Sequence, residues 1–199
     1  MKSAVSIAAV AAIAAGVVAA AALAAVRVLR CRGGTSRSRR GRANARLQAI
    51  SGILGEFEMV PHLEAESADD AIVKLVRVLR QQGRISDEGA VLDSIRLREK
   101  SMPTGLVNSL AIPHGRTDAV NGLVGAIATV DNPNGIPNYE TIDKSPVRIV
   151  ILSVSSKSET VAHLNLLSDI SRSLRDNESR QNLLACKDAA EMKRFISGR

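Results

Sequence analysis

Three side chains in this sequence stand where they could handle a phosphoryl group: Arg98, His114 and His163. His114 lies in "NSLAIPHGRT", where the apolar run Leu110-Ala111-Ile112 is stopped by Pro113 and followed by Gly115. That pattern puts an imidazole at the lip of a strand, on backbone that is free to turn. Arg98 lies upstream, at the end of a predicted helix. His163 lies on a later predicted helix and shares a face with Leu167 and Ile170, at spacings of four and seven.

A neutral imidazole is a nucleophile near pH 7, because its unperturbed pKa is about 6.5. It can attack phosphorus when one ring nitrogen is open and the other is held by a hydrogen bond. The charge of the incoming group then needs donors. Arginine offers a planar fork of N–H groups, a second imidazole offers another, and backbone N–H groups around Pro103-Thr104-Gly105 could complete an anion pocket. The set suits a phosphohistidine relay at His114, with Arg98 and His163 as its partners and neither a metal nor an organic cofactor. No carboxylate or cysteine shows metal-ligand spacing with either histidine. Plainer roles stay open beside this one: a turn residue for His114, a satisfied core histidine for His163, a helix C-terminal cation favoured by the dipole for Arg98. His62, in "MVPHLEAES", has no identifiable partner and reads as structural or exposed.

The elements that must carry these residues are legible from about Leu47 onward. "SADDAIVKLVRVLRQQG" predicts a helix capped by Ser67, with a stripe of Ile72, Leu75, Val76 and Leu79 and a stop at Gly83. "SDEGAVLDSIRLREK" predicts a second, capped at Ser86, with Val91, Ile95 and Leu97 as its stripe and Arg98-Glu99 at its end. "SLAIPH", "GLVGAIATV" and "VRIVILSVS" read as strands, and "DNPNGIPNYETIDKSP" between the last two as loop. "SETVAHLNLLSDISRSLRD" is a helix with Ser158 as cap, and one or two short helices follow in the tail. Helices before, between and after strands imply a layered α/β domain with a small sheet.

Composition narrows the partners. Apolar residues are 45% and aromatics 2%, so Leu, Ile, Val and Ala must build the core, and base stacking on aromatic platforms is not expected. The net charge of +7 is confined to the head: residues 1–44 hold eight of the 27 basic residues and no acid, leaving 19 basic against 20 acidic elsewhere. Nucleic acid is therefore not an expected partner. Residues 4–29 carry no charge but Arg27 and are long enough for a bilayer crossing of about 20 residues. The basic flank that follows stays in the cytoplasm by the positive-inside rule. The expected layout is a membrane anchor at 1–30, a basic flexible linker at 31–46 and a globular domain at 47–199, with that domain on the cytoplasmic side of the inner membrane. A cleaved signal ending at Ala22-Leu23-Ala24 and a transit peptide are the rival readings of the head. Cleavage would make the domain an exported one. Cys31 and Cys186 show neither metal spacing nor a disulfide framework; Cys31 could be acylated beside the membrane, and Cys186 reads as packing.

"LREKSMPTGLVNSLAIPHG" resembles the signature of the fructose/mannitol-type (type-2) EIIA domain of the bacterial sugar phosphotransferase system, which the nitrogen-regulatory EIIA proteins share. Arg98-Glu99, Thr104-Gly105 and Ala111-Ile112-Pro113-His114-Gly115 carry the match, and "AHLNLLSDISRSL" resembles the family's later His-Leu helix, with His163 in the histidine position. Order and spacing agree across roughly residues 48–198. The resemblance implies a three-layer α/β/α sandwich around a mixed sheet of about five strands. It implies that His114 accepts a phosphoryl group from an HPr-like phosphocarrier, that Arg98 and His163 bind it, and that a cysteine of an EIIB-type domain receives it. A regulatory target protein replaces that acceptor if the domain is a non-catalytic, membrane-tethered regulatory binding module. Met102-Pro103 departs from the family pattern, replacing a Gly-Ser pair and removing one N–H and one hydroxyl.

Overall fold

Ser67 opens the first helix as the sequence predicts. Its hydroxyl accepts the Asp70 N–H, and Asp69 and Asp70 set negative charge on the first turn, where the dipole favours it. Helix α1 (Ala68–Gln81) buries Ala71, Ile72, Leu75, Val76 and Leu79 along one face. Gly83, at φ +66°, turns the chain away from it. Helix α2 (Glu88–Ser101) is capped by Asp87 rather than Ser86. The Asp87 carboxylate accepts the Ala90 N–H, while the Ser86 hydroxyl donates to the Ala119 carbonyl. Leu97, expected in the buried stripe of α2 with Val91 and Ile95, is 70% exposed. Two residues beyond Ile95 is about 200° around a helix, the opposite face.

The computed structural model describes residues 54–159, 165–166, 170, 174 and 176–197. The predicted anchor at 1–30, the basic linker at 31–46, and His163 with most of its helix lie outside them. Among the described residues no helix is long and apolar enough to cross a membrane.

Five strands form one mixed sheet. Strand β1 (Glu58–Val60) runs parallel to β4 (Leu123–Thr129), which is antiparallel to β5 (Ile149–Ser155). On its other side β5 carries two short parallel strands, β2 (Leu110–Ala111) and β3 (His114–Arg116). "SLAIPH" is thus cut in two at Ile112-Pro113. Proline has no N–H to give to a ladder, although the Pro113 carbonyl accepts the Ser153 N–H at 3.1 Å. Strand β1 goes unread in the sequence, because three residues are too few to show alternation.

All seven residues of β5 are buried, and its alternating side chains feed two cores. Val150, Leu152 and Val154 pack with α1 and α2. Ile149 and Ile151 pack on the other face with Leu166, Ile170, Leu183 and Met192. The last two belong to α3 (Asn177–Leu184) and α4 (Ala189–Ser197), so helices cover both faces and the expected three layers are present.

Candidate functional site

Gly115 decides how closely α2 lies on β3. A Cβ at that position would stand 2.3 Å from Ser94 Oγ and 2.9 Å from Ile95 Cγ1, so only glycine admits this approach without rearrangement. One turn beyond Ser94 on α2 is Arg98, and one residue before Gly115 is His114. Arg98 Nε accordingly donates to His114 Nε2 at 3.0 Å, and Arg98 Nη1 donates to the Met102 carbonyl at 2.7 Å. The guanidinium is held at both the ring and the end of its own helix.

That contact fixes the tautomer. A guanidinium only donates, so Nε2 is the acceptor nitrogen and carries the lone pair. The proton is then on Nδ1, which donates to the Ile112 carbonyl at 2.9 Å. Burial pushes the imidazole below its ordinary range and the Arg98 charge adds to that, opposed by the Ile112 carbonyl and by Glu99. At neutral pH the ring is uncharged, with its lone pair directed at a cation.

Glu99 governs the loop beside the ring. Its carboxylate accepts the Thr104 N–H at 3.2 Å and the Thr104 hydroxyl. Since that hydroxyl's proton goes to Glu99, the Tyr139 O–H donates to Thr104 Oγ1, at 3.4 Å. Burial first, and the Glu99 charge second, raise the Tyr139 phenol above its ordinary range. Around Pro103-Thr104-Gly105, where an anion pocket is expected, Pro103 has no N–H and that of Thr104 is committed to Glu99. Gly105 instead presses against the 140–141 backbone, where a Cβ would lie 1.9 Å from the Glu140 carbonyl oxygen. A cleft of about 450 Å³ results, lined by Arg98, Met102, Leu106, Ile112, His114 and Ile142 among others. Met102 and Ile142, 60% and 75% exposed, give it an apolar rim.

The structure therefore unites Arg98 with His114, and His163 lies outside the described residues. Sequence reasoning missed the Glu99–Thr104–Tyr139 network, whose members carry no spacing signal. It also gave His62 no partner. His62 Nδ1 faces both carboxylate oxygens of Asp131, at 2.8 and 2.7 Å, and Nε2 meets the Lys187 carbonyl at 2.9 Å. Both ring nitrogens face acceptors, which favours the imidazolium, and the Asp131 hydrogen bond raises its pKa first. Among the described residues no group of His, Cys, Asp and Glu could hold a metal ion.

Residues 56–198 match the family described as "Phosphoenolpyruvate-dependent sugar phosphotransferase system, EIIA 2". The chain is 30% identical over 135 residues to the fructose-specific EIIABC component of the phosphotransferase system of Bacillus subtilis, a match that covers 68% of this chain and 21% of that protein. In fold it resembles the nitrogen regulatory protein IIA-Ntr of Neisseria meningitidis, with a TM-score of 0.61, 23% identity and coverage of 74% of this chain and 99% of that one. It likewise resembles the mannitol enzyme IIA of Escherichia coli in its complex with phosphorylated enzyme IIB, with a TM-score of 0.59, 23% identity and coverage of 71% and 95%. The arginine–imidazole pair thus lies within the stretch that the family description matches, and the chain belongs to the type-2 EIIA family of the sugar phosphotransferase system.

Proposed function

We propose that this chain is a phosphocarrier that accepts a phosphoryl group on His114 Nε2 from phosphohistidine of an HPr-like carrier and passes it to an EIIB-type partner. The observation that carries the reading is the 3.0 Å contact from Arg98 Nε to His114 Nε2, combined with the Nδ1–H bond to the Ile112 carbonyl. In the forward step the Nε2 lone pair forms a bond to phosphorus. The P–N bond of the donor breaks, and its electron pair returns to the donor's ring nitrogen. The proton stays on Nδ1, hydrogen-bonded to the Ile112 carbonyl, throughout, and that oxygen steadies the positive charge that develops on the acceptor ring. Arg98 trades the ring nitrogen for the phosphoryl oxygens, and His163 supplies a further donor. The apolar rim at Met102 and Ile142 is surface that a protein partner can cover.

The test is incubation of the full chain with enzyme I, HPr and radiolabelled phosphoenolpyruvate. Wild type takes acid-labile label and His114→Ala takes none. Absence of label on wild type, with a control EIIA labelled in the same mixture, overturns the reading. A second reading, a non-catalytic regulatory binding module, draws on the "MPTG" loop, where the backbone offers the ring no N–H from Pro103 or Thr104. In that case His114→Ala still retains its partner in a pull-down. We further propose that residues 1–30 anchor the chain in the inner membrane, that 31–46 form a basic tether, and that the EIIA domain faces the cytoplasm.

A further inference from the structure

Strand β5 reads Ile-Val-Ile-Leu-Ser-Val-Ser, and its two serines interrupt an otherwise apolar run at alternate positions. Both are fully buried, and neither hydroxyl has a hydrogen-bond partner among the described residues. An alanine at either place would avoid the cost of desolvating a hydroxyl that nothing receives. An orphaned buried hydroxyl invites the question of what pairs with it at another stage of function.

Ser153 has a particular neighbourhood. In the sheet register it pairs with His114 on one side and Gly125 on the other. Ile149 and Ile151 face the core shared with α3 and α4, so Ser153, two residues on, projects from that same face. Gly115 faces α2 on the opposite side, so His114, its neighbour in β3, projects from the Ser153 face as well. Across Gly125 lies the Phe57 ring, which a Cβ there would meet at 2.2 Å. Phe57 closes that flank with carbon. In this row of the sheet the residue paired with Ser153 on the side away from Gly125 is His114.

Building on the phosphocarrier reading, we infer that Ser153 is a phosphoryl-binding residue whose hydroxyl donates to an oxygen of the phosphoryl group carried by His114. The hydroxyl is kept dry and uncommitted until that group arrives, so none of its strength is lost in exchanging away another partner. It also restores a hydroxyl to a site whose loop has Pro103 where the family pattern has serine. A donor of this kind favours the dianionic phosphoryl group and slows its loss to water.

The experiment uses the full chain phosphorylated by phosphoramidate, which needs no carrier protein, and follows it by ³¹P NMR. In Ser153→Ala we expect the phosphoryl group to titrate at a higher pH than in wild type and to hydrolyse about tenfold faster. The thermal midpoint should be equal or higher. Ser153→Cys, close in size but a weak donor, should behave like Ser153→Ala, and Ser155→Ala, beside Arg116 rather than His114, should behave like wild type. Wild type and Ser153→Ala with the same titration and lifetime would overturn this inference and leave the phosphocarrier reading intact. Wild type that takes no phosphate from either phosphoramidate or the carrier would overturn both.

Discussion

His114 is useful because of what surrounds its two nitrogens. Burial and the Arg98 charge keep the ring neutral below its ordinary titration range. Phosphoryl acceptance should therefore stay level from pH 8 down past about 6.5 and fall only in more acidic solution. The sign for stability follows. The unfolded chain protonates first, so this group's contribution is complete above about 6.5 and is lost as pH falls through the lower folded value. Arg98→Gln removes the adjacent charge, so the ring should titrate at higher pH in an NMR titration. Acceptance measured in a single turnover should slow by about 10²–10³-fold, the usual loss for a donor aimed at developing charge. A titration that does not move would show that Arg98 does not set the ring's protonation. His62 presents the reverse sign: its raised pKa gives stability that is complete below about 6.5 and lost as pH climbs through the folded value.

At the scale of elements, the site depends on a helix lying too near a strand for a Cβ at position 115. Gly115→Ala would drive a methyl group into Ser94 and Ile95. We expect a loss of about 1–3 kcal/mol in chemical denaturation, the usual cost of overpacking. Phosphoryl acceptance should fall further than that loss implies, because α2 carries Arg98 away from Nε2. Equal activity at equal folded fraction would show that the approach of α2 does not position the arginine. Much of this arrangement was legible beforehand. The α1 stripe and Ser67 cap, the last turn of α2 and the apolar run ending at Pro113 all have local signals. What escaped lacked them. Strand β1 is too short to alternate, Ser86 and Asp87 are both good caps, and Leu97 looks like core only until its angle from Ile95 is counted. The His62 partners lie 69 and 125 residues away in sequence, beyond any periodicity, and the Glu99 clamp forms only once the Thr104 loop folds back on α2.

For the whole molecule, the described cores fall between Leu54 and Ile196, and the charge excess of the chain lies ahead of them. The proposed tether can be checked by fractionation. The full chain should sediment with membranes and resist carbonate extraction, while a chain lacking residues 1–46 should stay in the supernatant with an unchanged thermal midpoint. A full chain released by carbonate would remove the anchor from the proposal.

The Nδ1–H bond to Ile112 has one more consequence. A ring pinned through its inner nitrogen to its own backbone cannot flip to expose that nitrogen, so the adduct should be a single regioisomer, the tele form. Heteronuclear ¹⁵N couplings should detect phosphorus at the outer nitrogen alone, with no pros species even under chemical labelling.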